Sequence, residues 1–193
     1  YAQARFAQRF GLVRDGAGAA VELLIIAMGK LGGRELNFSS DIDIIFAYSG
    51  GRESDGPRSL DAQSYFNRLS RDVVSLIDEV TEDGFVFRAD TRLRPFGDSG
   101  PPVISFAALE SYLLQHGRDW ERYAYVKARL VGPIPAESIR RELIEELVQP
   151  FVYRRYLDFG VFESLRDIHV KIVAEVVRGD RADNLKLGPG GIR

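Results

Sequence analysis

The run AMGKLGGRELNFSSDIDIIFAYSG, residues 27–50, decides the fold. It joins a glycine turn, a polar loop and an apolar segment that carries Asp41 and Asp43. Two carboxylates in an apolar strand need a reason, because unpaired buried charge is expensive and is normally matched by metal or by basic groups. Spaced two apart on a strand, both side chains leave the same face, roughly 6.6 Å apart along the chain. One or two metal ions bridge such a gap, and hard oxygen ligands select Mg²⁺ or Mn²⁺. The competing reading is that Asp41 and Asp43 open the strand at its solvated end, paired with Arg34 or Arg88. The Asp-Ile-Asp pattern alone leaves these two readings balanced.

Upstream, VELLIIAM (residues 21–28) is a continuous, β-branched apolar run ended by Gly29, which predicts a buried strand. Backbone amides at such a glycine approach phosphate oxygens closely. GKLGG is not a Walker loop, since it lacks the four-residue gap before Gly-Lys-Ser/Thr. DIDIIFAY (41–48) is the second strand. Residues 1–20 form a lead-in, with Phe6 and Phe10 at helical spacing.

Downstream, Ser59 is placed to cap a helix in which Phe66, Leu69, Val73, Leu76, Ile77 and Val80 share a face, ending before Gly84. FVFRADTRLRP (85–95) predicts a third strand with Phe85, Phe87, Ala89 and Leu93 on one face and Arg88, Asp90, Arg92 and Arg94 on the other. If that strand lies beside the second, Asp90 becomes a third carboxylate of the site. Arg88 and Arg92 are then candidate phosphate contacts, since the guanidinium fork suits phosphate oxygens. Pairing with a nearby acid is the simpler role for any one of them. Helices are expected over 105–115, 118–130, 136–148 and 161–178, the last with Phe162, Leu165, Ile168, Ile172, Val173 and Val176 on its apolar side. Trp120, Tyr123 and Tyr125 fit core packing better than stacking on a base. Strands followed by helices give an α+β fold with a mixed sheet: a core over 21–132 and a helical segment over 133–193.

Composition narrows the chemistry. The 193 residues balance 26 basic against 28 acidic side chains, a net charge of −2. Nothing global draws the chain to nucleic acid or to an anionic membrane, so any phosphate binding is local. There is no cysteine, which excludes disulfides and thiolate metal sites and suits a cytoplasmic location. No apolar run is long enough to span a bilayer, and the N-terminus lacks the apolar core of a signal peptide. A chain that starts without methionine and stops at LGPGGIR is expected to be a piece of a longer protein.

The joint arrangement of strand, glycine, loop and Asp-x-Asp strand resembles the DNA polymerase beta-like nucleotidyltransferases. Gly29-Lys30 stands where Gly-Gly or Gly-Ser is usual, and the Lys30 ammonium is itself able to contact phosphate. More specifically, GKLGGRELNFSSDIDIIF, RLRPFGDSGP, WERYAYVKAR and KLGPGGIR, in that order and spacing, resemble the glutamine synthetase adenylyltransferase family. The forms LNFSSDID, RPFGDSGP and LGPGGIR are similar to its adenylyl-removing, amino-terminal head. The resemblance implies Asp41, Asp43 and Asp90 as carboxylates for Mg²⁺ or Mn²⁺, and Gly29 and Ser40 as phosphate or nucleotide contacts. It implies phosphorolysis of a tyrosyl-AMP ester: phosphate attacks the AMP phosphorus, and ADP and unmodified glutamine synthetase result. The implied partners are adenylylated glutamine synthetase, the PII signal protein, phosphate, and ADP or ATP. Two alternatives stay open: the opposite reaction, AMP transfer from ATP to a tyrosine, and a non-catalytic module that binds PII.

Overall fold

The computed structural model describes residues 2–153 apart from Ser39, Asp83 and Ile134, together with Arg166, Asp167, His169, Val170, Lys171, Ala174 and Arg178. The apolar side predicted for the helix over 161–178 lies outside the described residues. The architecture is α+β, as the strand and helix patterns predicted. After a first helix, α1 (Ala2–Phe10), come β1 (Leu24–Ala27), the single-turn α2 (Gly29–Gly32), β2 (Ile42–Tyr48) and α3 (Ala62–Asp78). Then follow β3 (Ala89–Asp90), β4 (Val103–Ser105), α4 (Phe106–Gln115), α5 (Asp119–Tyr125) and β5 (Arg129–Val131). A helical run closes the described part: α6 (Glu137–Arg141), a π-helical segment (Glu142–Val148) and α7 (Gln149–Val152).

The strands make one mixed sheet. β2 runs antiparallel to β1, and β1 antiparallel to β5. On its other edge β2 takes two short parallel partners in succession, β3 at its start and β4 at its end. Strand alternation divides the apolar side chains between two cores. Ile42, Ile44, Phe46 and Tyr48 pack with Tyr65, Phe66 and Leu69 of α3 and with Phe6 and Phe10 of α1. Ile45 and Ala47 pack with Leu24, Ile26 and Met28 and with Phe106, Leu109 and Leu113 of α4. By the same alternation Asp41 and Asp43 belong to the second face, the one covered by α4 and α5.

Several expected boundaries shift, each for a local reason. The first strand starts at Leu24 rather than at residue 21. The cap of α3 is Asp61, whose carboxylate accepts from the Ser64 N–H at 2.9 Å, while the Ser59 hydroxyl donates to the Ser54 carbonyl. A carboxylate is a strong N-cap acceptor, and it sets the helix start two residues later than Ser59 would. Leu76 and Val80 are exposed, so the apolar face of α3 is spent by Ile77. The third strand keeps only Ala89–Asp90, because a turn with Arg94 N–H on the Thr91 carbonyl breaks it at once. Helix 118–130 stops at Tyr125, and the chain then extends into β5. Among the described residues no helix is long and apolar enough to cross a membrane.

Candidate active site

The site grows from the turn between β1 and β2. Gly29 takes φ +50°, and a Cβ built there would stand 2.7 Å from Asp43 Oδ2. The carboxylate thus lies against the glycine backbone, and any side chain would displace it. Three residues on, a Cβ at Gly32 would fall 2.1 Å from the Lys127 carbonyl oxygen. That close approach clamps α2 to the segment entering β5. Arg129 completes the clamp by donating from Nε to the Gly32 carbonyl at 3.0 Å and from Nη2 to the Leu31 carbonyl at 2.9 Å. Lys127 Nζ meets Glu35 Oε2 at 2.6 Å.

The parallel pairing of β2 with β3 sets Asp43 directly opposite Asp90. The third carboxylate therefore stands beside the Asp-x-Asp pair, as the sequence suggested. Two arginines attend this edge. Arg88 Nε lies 2.8 Å from Asp41 Oδ1, an ion pair whose side chains are both substantially exposed. Arg92 grips Asp90 with Nε at 2.9 Å and Nη2 at 2.5 Å from Oδ2, and its backbone N–H adds a third bond at 2.9 Å to Oδ1. The Arg92 guanidinium holds the Asp90 carboxyl below the usual carboxylate range. Arg94 turns inward, donating to the Thr91 carbonyl and hydroxyl at 2.9 Å.

Three carboxylates, Asp43 on β2, Asp90 on β3 and Asp41 just before β2, are the right chemistry for a hard divalent cation. Among the described residues, however, no three acidic or imidazole side chains already stand close enough to enclose a metal ion. Two of the three candidates are engaged by arginines instead. The donor set fits Mg²⁺ or Mn²⁺ once Arg88 and Arg92 yield. The Arg88–Asp41 pair costs little to break, because exposed ion pairs are worth at most about 1 kcal/mol.

Beside these aspartates opens a cavity of about 320 Å³, lined by Gly29, Lys30, Ser40, Asp41, Asp43, Tyr123, Ala124, Val126 and Lys127. Its size is at the lower end for small-ligand sites. Five of the residues singled out in the sequence meet here: Gly29, Lys30, Ser40, Asp41 and Asp43. Asp90, Arg88 and Arg92 are not in its lining; they stand at the strand edge beside it. Ser40 is buried and donates its hydroxyl to Asn37 Oδ1, which shapes the loop. The Lys30 ammonium is buried, and among the described residues no group accepts a hydrogen bond from it.

The rest of the lining carries less weight in the sequence, where Tyr123 reads as core and Lys127 as a solvated helix face. Tyr123 and Val126 are about half exposed and face the cavity, with Lys127 beyond them. The expectation of core packing holds for Tyr125, which is buried, and fails for Trp120 and Tyr123, which are exposed. The 123, 126, 127 spacing reads in sequence as one helical face; in the structure α5 ends at Tyr125, and Val126 and Lys127 follow it in a turn. His116 packs its ring against Phe96 and Tyr112, away from the cavity.

The comparisons with known proteins agree with one another. The family model described as glutamate-ammonia ligase adenylyltransferase matches residues 2–143. Similar curated proteins are bifunctional glutamine synthetase adenylyltransferase/adenylyl-removing enzymes. That of Shewanella oneidensis is 54% identical over 186 residues, 96% of this chain and 19% of the relative. Those of Thioalkalivibrio sulfidiphilus and Mannheimia haemolytica are 53% and 50% identical, over 96% and 98% of this chain. The chain spans about a fifth of the length of these relatives.

Proposed function

The chain belongs to the glutamate-ammonia ligase adenylyltransferase family, and on that premise we propose that it removes AMP from adenylylated glutamine synthetase by phosphorolysis. An oxygen of inorganic phosphate bonds to the AMP phosphorus, the bond from phosphorus to the tyrosyl oxygen breaks, and ADP and the free tyrosine result. The observation that carries this reading is the cavity itself. One wall gathers Gly29, Lys30, Ser40, Asp41 and Asp43, with Asp90 in register beside them.

Asp41, Asp43 and Asp90 would hold Mg²⁺ or Mn²⁺, which when bound neutralises charge on the attacking and leaving oxygens. Gly29 presents bare backbone to the phosphoryl group. Lys30 offers donors to its oxygens, and Ser40 would do so once its hydroxyl turns away from Asn37 Oδ1. Arg88 and Arg92, released from Asp41 and Asp90, are the cations at hand for the attacking phosphate. Tyr123 and Val126 give a flat apolar wall for an aromatic ring. Phosphate is ionised near neutral pH, so no strong general base is required, in keeping with His116 lying elsewhere.

The removing direction rests on the wording of LNFSSDID and RPFGDSGP; the same carboxylates would serve transfer of AMP from ATP. A module that only bound the PII signal protein would have no use for three adjoining acids beside a cavity. The test is to mix the chain with adenylylated glutamine synthetase, Mg²⁺ and phosphate and to follow the nucleotide released. ADP that depends on phosphate and on Asp43 is the expected result. AMP incorporated from ATP into unmodified enzyme, without ADP release, would assign the opposite reaction.

A further inference from the structure

We propose that Lys30 is a built-in cation of this cavity, whose ammonium holds a phosphoryl oxygen directly, so that a nucleoside monophosphate binds here without metal. This rests on the nucleotidyl reading of the site and adds a role for one residue. The cations around the site are not equivalent. Arg88 is taken by Asp41, Arg92 by Asp90 and Lys127 by Glu35. Lys30 differs: its ammonium is buried, and among the described residues nothing accepts its protons. An ammonium withdrawn from water without a partner is costly, so a ligand that supplies anionic oxygens gains what the folded chain lacks.

Among the described residues three other buried polar atoms are left without hydrogen bonds: the Tyr125 hydroxyl and Arg94 Nε, whose residues do not line the cavity, and Asp41 Oδ1, which belongs to the cavity but is an acceptor with Arg88 Nε ion-paired to it at 2.8 Å. The unmet donor is thus found where a ligand can reach it. The same cavity is lined by the apolar surface of Tyr123 and Val126. The complementary ligand carries an anion at one end and a flat ring at the other, as AMP does. The acids Asp41 and Asp43 share the cavity and repel such an anion. A fixed ammonium offsets that repulsion before any metal arrives.

The experiment is isothermal titration calorimetry of the full chain with AMP and with adenosine, in excess EDTA. AMP is expected to bind about ten-fold or more tightly than adenosine, the worth of one charge-assisted hydrogen bond. That advantage is expected to vanish in Lys30→Met, and in Lys30→Gln should the first variant not fold. No AMP advantage in the parent, or an advantage kept in either folded variant, overturns the proposal. ADP release from adenylylated glutamine synthetase by the parent separates this from the functional reading. No release, with an AMP advantage that needs Lys30, sinks the reaction and leaves the cation standing. Release, with AMP binding indifferent to Lys30, sinks the cation alone.

Discussion

The junction of α4 with α5 and the cavity beneath Tyr123 treat buried charge in opposite ways. At the junction Glu121 is almost fully buried, yet it accepts from the Tyr112 hydroxyl and from the Arg118 N–H at 2.9 Å. Arg122 beside it donates to the Phe151 carbonyl at 2.8 Å and lies over the Phe151 ring. Both charges are answered from within the chain. In the cavity the Lys30 ammonium is left without a hydrogen bond among the described residues, and Asp41 and Asp90 are answered by arginines on exposed arms. A charge with internal partners belongs to the fold, and losing one partner strands the other. A charge without them belongs to whatever enters.

That contrast is open to measurement. The largest effect is expected at the cavity, in activity alone. Asp41→Asn and Asp43→Asn should each lower ADP release by about 10³-fold, a loss of several kcal/mol of charge stabilisation. The circular dichroism spectrum should not change, and full activity in either variant would sink the metal-site assignment. Mg²⁺ should raise the melting temperature of the parent more than that of Asp41→Asn, since a ligand confined to the folded state stabilises it. At the junction the effect moves to stability. Glu121→Ala should cost about 3 kcal/mol in urea unfolding, by stranding the Tyr112 hydroxyl and the Arg118 N–H. Lys30→Met should stay within about 0.5 kcal/mol of the parent or exceed it. Equal losses in the two would erase the distinction.

Gly29→Ala tests where fold and site share one atom. Its φ of +50° and the 2.7 Å approach to Asp43 Oδ2 predict a loss of about 1–2 kcal/mol and a smaller Mg²⁺-induced shift in melting temperature. An unaltered shift would show that Asp43 does not depend on the glycine for its position. The smallest effect is alkaline. Burial, and then the hydrogen bond to Glu121, pushes the Tyr112 hydroxyl from 10.0 up to about 12. Because the folded value lies above the unfolded one, the stabilisation is whole below pH 10 and drains away as pH rises toward 12. Melting temperatures across that window should fall less steeply in Tyr112→Phe than in the parent.

The sequence reading was strongest where pattern and chemistry coincide. Residues 24–27 and 42–48 are strands because their apolar runs have only a sheet to fill, and the Ser105 cap of α4 is visible as a residue type in position. Asp90 was placed beside Asp43 from alternation and one assumed pairing, and that pairing is present. β4 and β5 were not legible. Each is three residues long, and each is a strand only because β2 or β1 offers an edge. For Tyr123 and Tyr125 the sequence holds two tyrosines two apart on one helix; which of them faces the core depends on how α5 sits on the sheet. The isolation of the Lys30 ammonium is likewise tertiary, the sum of partners that other cations took first.

The bond from Arg129 to the Gly32 carbonyl spans 97 residues, and this sets a timetable for the protein's birth. On the ribosome the aspartates and their glycine emerge first. The segment that walls them in follows about 5–20 s later at ordinary synthesis rates. Through that interval one edge of β1 waits without its partner, a row of backbone donors and acceptors open to any passing strand. The aspartates are made early, but the clamp between α2 and β5 closes only when β5 arrives, so the nascent chain carries these carboxylates before the cavity beside them is complete.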